Sequence, residues 1–275
     1  MKESIWRRIW NCIYPPVIMI LIYVAAYLAA IVIYSSFLAS SALGLEDFMS
    51  VYGNYISIAA LTLGGLFMYF LYKKDIVIHS NFILKNPVWF IPVVIAGILA
   101  SHGLSILVSL MNIDNIIGSY SESVQSVLAG DIAIAVLKSV VLASLAEEVL
   151  FRGVIFNRAK KYWGFWPAAI ISSAFFGIYH MNLAQGVYAF IYAILLCLVY
   201  NCFKNLWVPV SMHAGANAFS LILSYAGVSY PAVWVYVSVM TVALAAVVLI
   251  YIFIIRKSIP KVDAAMEEEK LAAGF

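Results

Sequence analysis

The sequence predicts an all-α protein, a polytopic bundle of about eight transmembrane helices with both termini in the cytoplasm. Of its 275 residues, 65% are hydrophobic and only 11% are charged, and the mean hydropathy is +1.01. The apolar residues form repeated long stretches without the alternation of a β-barrel, which is typical of transmembrane helices. A soluble domain of this length does not need so much apolar sequence.

Eight apolar segments follow one another along the chain, and each is expected to be one helix. The first opens at Pro15-Pro16 and lacks the small-residue cleavage site of a signal peptide, so we expect it to be a retained anchor. The polar tail after the eighth segment, KVDAAMEEEKLAAGF, is expected to be a frayed helix or disordered. The predicted spans are residues 12–38, 52–72, 86–111, 131–157, 165–181, 186–203, 206–225 and 231–255.

Cations concentrate on one side of this arrangement. All but one of the 16 Lys and Arg residues fall in the termini or in connections that eight crossings place on the same side. Because cytoplasmic loops are enriched in Lys and Arg, both termini are expected in the cytoplasm, and a bacterial inner membrane suits such a chain. The exception, Lys138 in the fourth span, is expected to snorkel outward. The opposite connections lie near residues 39–51, 112–130, 182–185 and 226–230.

The remaining composition excludes several classes of function. The formal net charge of +3 is too small to indicate a nucleic-acid partner. Cys12, Cys197 and Cys202 share no C-x-x-C spacing, so neither a disulfide framework nor a thiolate metal site is predicted. No internal repeat relates the two halves, which disfavours a transporter.

The fourth span ends with charged residues, in the sequence SLAEEVLFRG. Charged side chains inside a membrane are costly, and they persist mainly where they are paired or functional. Glu148 and Arg152 are four residues apart and therefore share one helix face, which predicts an ion pair. Glu147 points about 100° away and has no cation four residues from it, so its carboxylate is expected to be available for chemistry.

A histidine on the fifth helix is predicted to lie level with Glu147. The chain turns near Trp163, with Glu147 16 residues before it and His180 17 residues after it. In an antiparallel hairpin these two positions lie at nearly the same depth, roughly 24–26 Å from the turn. Phe176, one turn from His180, is expected to pack against the imidazole.

The seventh helix carries a second polar pair within VPVSMHAGANAF. His213 and Asn217 are one turn apart on the same face, and small residues surround them. Small residues let helices approach closely, which could bring this pair to Glu147 and His180. A purely structural role, as hydrogen bonds between helices, stays open for both side chains.

Two kinds of chemistry fit this set of residues. A carboxylate and an imidazole can share and deprotonate a water molecule, while a second histidine and an amide can stabilise an oxyanion. Alternatively, Glu147, His180 and His213 could hold zinc or another divalent metal, although no H-E-x-x-H motif supports a metal site. The serines lack a G-x-S-x-G elbow, so a serine triad is not predicted.

These residues resemble the motifs of the CAAX-protease and bacteriocin-processing family of intramembrane endopeptidases. The family signature EExxxR, FxxxH and HxxxN is present in order as EEVLFR (147–152), FGIYH (176–180) and HAGAN (213–217). On this resemblance we divide the chain into N-terminal helices (residues 1–130), a catalytic core (131–225) and a last helix with its tail (226–275).

The resemblance implies a role for each motif residue. Glu147 would activate the water and His180 would orient it, while His213 and Asn217 would stabilise the oxyanion. The positions of Glu148, Arg152 and Phe176 are supporting ones. Some members of the family are described as metalloproteases, but this mechanism needs no metal, and the sequence leaves both versions open.

The implied activity is hydrolysis of a peptide bond in a membrane-associated protein or peptide. The alternative is a membrane immunity or peptide-binding protein that uses the same polar cluster without catalysis. A proton-coupled transporter that uses Glu147, His180 and Lys138 is a third hypothesis. Loss of substrate processing on Glu147→Gln substitution would distinguish the first hypothesis from the second.

Overall fold

The computed structural model describes residues 3–38, 43–75, 77, 79–110, 131–227 and 233–272. Helices contain 91% of these residues and none of them lies in a strand, so the predicted all-α fold is confirmed. The predicted connection at 112–130, and parts of those at 39–51 and 226–230, lie outside the described residues.

Each predicted span corresponds to a helix or to a continuous helical rod. A short helix, Phe82–Lys85, and a 3-10 turn, Pro87–Trp89, precede α3. The fourth rod, α4, consists of the consecutive segments Ile132–Ala135, Val136–Ala143, Ser144–Glu148, Val149–Phe156 and Asn157–Trp163. The other bounds are α1 Ile5–Ile33 with a π-helical extension at Tyr34–Leu38, α2 Leu45–Lys74, α3 Phe90–Leu110, α5 Phe165–Tyr179, α6 Leu183–Phe203, α7 Trp207–Tyr225 and α8 Val233–Ala272.

The first and last helices are longer than the sequence predicts. Helix α1 begins at Ile5, ten residues before Pro15, because the Ser4 hydroxyl caps it by accepting a hydrogen bond from the Arg7 backbone N–H at 3.3 Å. Helix α8 continues through most of the polar tail to Ala272. The side chain of Glu269 in this tail pairs with Lys85 at 3.5 Å, which holds the extension against the segment before α3.

The chain is a multi-pass membrane protein. Among the described residues, four helices are long and apolar enough to cross a membrane. Two further apolar helices, Phe165–Tyr179 and Val235–Leu244, are shorter. The total of eight crossings and the cytoplasmic position of both termini stay predictions. The four long spans are Ile5–Leu38, Leu45–Lys74, Pro87–Ile106 and Gln185–Phe203.

Helix α6 lies between two packed clusters. One of its faces carries Ala193 and joins the cluster formed with α1, α2, α4 and α5. Its other face carries Leu196 and joins the cluster formed with α3, α7 and α8. Helix α5 approaches α6 closely at Gly177. A Cβ added there would lie only 2.7 Å from the carbonyl oxygen of Gly186, so the absence of a side chain permits this contact. The motif-bearing helices are therefore held around α6.

Two segments of α4 are π-helical, namely Val136–Ala143 and Val149–Phe156. Such turns replace the i→i+4 hydrogen bonds of the α-helix with i→i+5 bonds and are frequent at functional sites. Side chains bond to backbone carbonyls inside both segments: the Ser172 hydroxyl donates to the Phe151 carbonyl at 2.8 Å, and the Asn217 amide donates to the Ser139 carbonyl at 2.8 Å. Helices α5 and α7 are thereby fixed to α4.

Lys138 has a partner within the bundle. Its ammonium group donates a hydrogen bond to the side-chain oxygen of Asn54 on α2 at 2.8 Å. The lysine is half-buried and is held between α4 and α2, while its predicted snorkelling toward the membrane surface stays a prediction.

Candidate active site

Helix α4 brings three charged side chains into the interior of the bundle. Glu147 and Glu148 are the last two residues of the short α-helical segment Ser144–Glu148, which separates the two π-helical segments. Arg152 lies one turn further along the chain. Glu147 is 8% exposed, whereas Glu148 and Arg152 are completely buried. Charges at such depth require partners, because burial without compensation is costly.

The predicted ion pair between Glu148 and Arg152 is confirmed. An Arg152 Nη1 donates to Glu148 Oε1 at 2.8 Å, and Arg152 Nη2 donates to the carbonyl of Ala193 on α6 at 3.1 Å. The guanidinium also lies over the Phe176 ring, 4.7 Å from its centroid. The arginine thus links α4 to α5 and α6, which gives this local pair a role in assembling the bundle.

His213 of α7 completes the charged cluster. Its Nδ1 lies 2.9 Å from Glu148 Oε1, the same oxygen that accepts the hydrogen bond from Arg152. Its Nε2 lies 3.9 Å from Oε2 of Glu147. If Nδ1 carries a proton and donates to Glu148, the other ring nitrogen is directed toward Glu147. The imidazole is therefore held between two carboxylates.

The cluster places two carboxylates beside one guanidinium and one imidazole in the interior of the bundle, where charged groups require partners. Two buried polar atoms, Glu148 Oε2 and Arg152 Nε, have no hydrogen-bond partner among the described residues. Buried polar atoms of this kind are commonly satisfied by ordered water, so the cluster offers places for water to bind.

His180 lies at the end of α5 and is half-buried. Its Nδ1 is 2.8 Å from the carbonyl oxygen of Phe176, and its ring packs edge-on against the Phe176 ring with 4.8 Å between centroids. The expected packing of Phe176 against the imidazole is confirmed. The Phe176 ring also contacts the ring of His213, with 5.7 Å between centroids, so it packs against both histidines.

The structure does not join His180 to Glu147 directly: both residues are described, and no hydrogen bond or ion pair connects them. The π-helical turn at Val149–Phe156 gives a physical reason for this difference. A helix with i→i+5 bonds turns less per residue than an α-helix, so side-chain directions and depths worked out for a regular helix are offset. The pairing of Glu147 with His180 stays a prediction.

Asn217 bonds to α4, one turn of α7 away from His213. Its side-chain Nδ2 donates to the Ser139 carbonyl at 2.8 Å and lies 3.4 Å from the Ser144 hydroxyl. At least one of its two N–H bonds is therefore used to fix α7 against α4. This contact positions His213, and the oxyanion role of Asn217 stays a prediction.

Two tyrosines near Glu147 were not found by sequence reasoning. The side chains of Tyr23, on α1, and Tyr179, on α5, lie close to each other and to the Glu147 carboxylate. Tyr179 directly precedes His180 in the FxxxH motif and packs on Phe151, with 5.5 Å between ring centroids. Tyr23 has no local signal in the sequence, because only the tertiary structure brings α1 to this carboxylate.

The position of His213 also depends on a close contact behind it. The Tyr192 hydroxyl donates to the Met212 carbonyl at 3.0 Å, and its ring lies 6.3 Å from that of His213. Gly97 of α3 allows this arrangement, since an added Cβ would lie 2.7 Å from the same carbonyl oxygen and 3.0 Å from the tyrosine hydroxyl. The missing side chain at Gly97 sets how closely α3 approaches the catalytic candidate.

The proposed metal ligands do not converge in this arrangement. Among the described residues, no three His, Cys, Asp or Glu side chains are grouped so that they could hold one ion. Nδ1 of His213 contacts Glu148, and Nδ1 of His180 contacts the Phe176 carbonyl. As arranged here, the candidate set Glu147, His180 and His213 therefore does not fit a three-ligand zinc site.

Comparisons with known proteins agree with the motif analysis. The family model described as Type II CAAX prenyl endopeptidase Rce1-like matches residues 129–219. A Bacillus subtilis (strain 168) protein named "Putative membrane peptidase YdiL" is 29% identical over 109 residues, which are 39% of this chain and 45% of that protein. An Escherichia coli protein named "Uncharacterized 24.3 kDa protein" is 30% identical over 97 residues, 34% of this chain and 45% of that protein.

The chain thus spans about half the length of the curated relatives it matches. No solved structure matches it. The matched segment contains all three motifs and ends two residues after Asn217, so it coincides with α4 to α7. Residues 129–219 of this chain are therefore similar to the Rce1-like CAAX endopeptidases, in agreement with the resemblance of the three motifs.

Proposed function

We propose that this protein is an intramembrane endopeptidase that hydrolyses a peptide bond of a membrane-associated protein or peptide. One observation carries the proposal: Glu147 Oε2 and His213 Nε2 lie 3.9 Å apart, in a site that is almost closed to solvent. This separation is longer than a hydrogen bond, and a water molecule or a substrate oxygen beside the two atoms could contact both.

Glu147 acts as the general base in the proposed mechanism. Its carboxylate takes a proton from the bound water while the water oxygen attacks the carbonyl carbon of the scissile peptide bond. The same carboxyl group then gives the proton to the leaving nitrogen as the C–N bond breaks, so atoms and charge balance. General acid–base catalysis of this kind contributes roughly 10²–10⁴-fold in rate.

His213 donates to the developing oxyanion from Nε2. Glu148 is a positioning residue for this step, because it accepts the hydrogen bond from Nδ1 at 2.9 Å and stabilises the imidazolium. Arg152 in turn donates a hydrogen bond to Glu148, and the hydrogen bond from Asn217 to the Ser139 carbonyl fixes the position of α7 along α4. His180 and Tyr179, at the end of α5, are proposed to orient the water and the substrate beside Glu147.

The proposal is tested with purified full-length protein in liposomes that also contain a library of membrane-anchored peptides. New peptide N-termini, quantified by mass spectrometry, are expected with the wild type and at least 100-fold fewer with Glu147→Gln. Equal numbers of termini from both proteins would contradict the mechanism. Loss of a biological phenotype without any peptide cleavage by the wild type would instead favour a peptide-binding or immunity role.

Adding a chelator to the same assay distinguishes catalysis without a metal from metal-dependent catalysis, the two mechanisms that the sequence leaves open. Cleavage by metal-free protein, unchanged by EDTA, is expected if Glu147 activates the water without a metal. Stoichiometric zinc in the purified protein, with activity lost on chelation and restored by zinc, would overturn the metal-free mechanism. Metal content is measured on the same samples, so the activity and the metal are compared directly.

A further inference from the structure

Two lysine ammonium groups share a single acceptor where α4 and α6 end. Lys160, near the end of α4, donates to the side-chain oxygen of Asn201, and Lys204, directly after α6, donates to the same oxygen at 2.8 Å. Two nitrogens bonded to one oxygen are separated by at most two hydrogen-bond lengths, roughly 6 Å. An amide oxygen bears only a partial charge, so it cannot offset two full positive charges.

The fold fixes both lysines in place. Lys160 is half-buried, and its ammonium group lies 5.9 Å from the centroid of the Phe156 ring. The backbone of Lys204 has a φ of 51°, and its N–H donates to the Tyr200 carbonyl while its own carbonyl accepts from the Ser80 N–H, each at 2.9 Å. Glycine is the usual residue in this left-handed position after a helix, so a lysine here has a steric cost.

The surroundings leave the pair with excess positive charge. Lys204 faces Lys160 of α4, Cys202 of α6 and the exposed Asp263 of α8. Among the described residues, no carboxylate forms an ion pair with either lysine. Burial, followed by the charge of Lys160, lowers the pKa of Lys204 to about 8. An anion bound between the two ammonium groups would relieve this repulsion.

The pair lies at the end of the bundle where large aromatic side chains are exposed. Trp166 and Trp207 flank it in sequence and are 61% and 53% exposed. Tryptophan is enriched at the membrane–water interface, and this is the cation-rich side that the charge distribution predicts to be cytoplasmic. The anionic groups available at that level are the phosphates of lipid headgroups.

From this geometry we propose that Lys160, Lys204 and Asn201 bind the phosphate group of an anionic phospholipid at the cytoplasmic interface. The site lies at the C-terminal end of α6, two turns beyond Ala193, which Arg152 of the Glu147 cluster contacts. The proposal does not depend on the proposed peptidase activity. Cations near helix C-termini are also favoured by the helix dipole. That effect accounts for one lysine at each helix end, but not for two ammonium groups on one amide oxygen.

The test measures the lipid retained by full-length protein extracted from nanodiscs of phosphatidylcholine and phosphatidylglycerol, by native mass spectrometry. The variant with Lys160→Gln and Lys204→Gln is compared with a charge-matched control with Lys161→Gln and Lys257→Gln, both exposed in the wild type. Loss of two charge-assisted hydrogen bonds is expected to reduce phosphatidylglycerol retention by roughly 100-fold or more. Equal retention by the two double variants would overturn the proposal, because general surface electrostatics would then suffice.

Asn201→Asp gives a second test that keeps both lysines. A carboxylate at this position would pair with both ammonium groups and take the place of the phosphate. The variant is expected to be folded and to release phosphatidylglycerol as completely as the double lysine variant. Retention at the wild-type level would contradict a phosphate site at these residues.

Two further arms identify the source of the anion. First, inorganic phosphate is expected to compete with phosphatidylglycerol for the two lysines. Second, the affinity for the lipid is expected to fall as the pH rises above about 8, because Lys204 without a bound anion loses its proton there. Binding of inorganic phosphate at the two lysines without any binding of phosphatidylglycerol would make the lipid assignment wrong. Lipid binding that is independent of pH between 7 and 9 (values on either side of the Lys204 pKa) would also contradict it.

Discussion

Glu147 and Glu148 are neighbours in the sequence, yet the same change from carboxylate to amide is expected to affect them in different ways. Glu148→Gln removes the charge that compensates Arg152, and both side chains are completely buried. Loss of one partner from such a pair typically costs about 3–5 kcal/mol. The glutamine oxygen can still accept one hydrogen bond, so we expect the lower end of this range, about 3 kcal/mol of unfolding free energy.

Glu147→Gln should leave stability nearly unchanged. Glu147 Oε2 lies 3.9 Å from Nε2 of His213, beyond hydrogen-bonding distance. The expected cost is on the order of 1 kcal/mol or less, because no hydrogen bond between these side chains is lost. Peptidase activity, by contrast, is expected to fall roughly 10²–10⁴-fold, since the general base is removed.

Unfolding can be followed with a thiol-reactive fluorophore, because Cys12 and Cys197 are buried in the folded protein. Denaturant titrations of the wild type and of each variant, in the same detergent, give the difference in unfolding free energy. The rate of peptide cleavage is measured on the same preparations. Wild-type stability of Glu148→Gln would refute the structural role of the ion pair, and full activity of Glu147→Gln would refute its role as the base.

Three further predictions concern the surroundings of the site. Gly97→Ala should lower the free energy of unfolding by about 1–3 kcal/mol, because the added methyl group pushes on the Met212 carbonyl beside His213. For the same reason it should lower kcat more than it changes KM. Gly53→Ala is the control, since nothing lies within 4 Å of a Cβ at that position. Tyr23→Phe and Tyr179→Phe should each shift the pH profile of cleavage, because both side chains lie close to the Glu147 carboxylate. An unchanged profile in both variants would exclude these hydroxyls from the site. In lipid-free detergent, the free energy of unfolding should rise between about pH 8 and 10.5. In this range the lowered pKa leaves Lys204 with fewer protons in the folded protein than in the unfolded chain. The rise should be absent in Lys204→Gln.

The helical fold and the ion pair could be predicted because their signals are local. Apolar runs identify helices from composition alone, and two charges four residues apart share a helix face in any α-helix. The observed helices correspond to the predicted apolar segments, and Glu148 and Arg152 are paired at 2.8 Å. The errors at the ends of α1 and α8 arise from capping and packing contacts, which hydropathy does not record.

The relation between helices could not be predicted in the same way. The expected depth of His180 beside Glu147 assumed a regular rise and turn, and the π-helical segment Val149–Phe156 alters both. The contribution of Tyr23 requires α1 to pack beside α4 and α5, over a separation of more than a hundred residues for which the sequence has no local pattern.

The sequence by itself determined that this is a helical membrane protein, and it identified which glutamates, histidines and asparagine carry the family motifs. Only the tertiary structure decided their partners. It placed His213 beside Glu148, 65 residues away in the chain, and bonded Asn217 to a carbonyl of α4. It also packed the Phe176 ring against both histidines. The physical reason is that periodicity specifies the face of one helix, whereas contacts between helices depend on local departures from regular geometry and on close approaches at small residues such as Gly97.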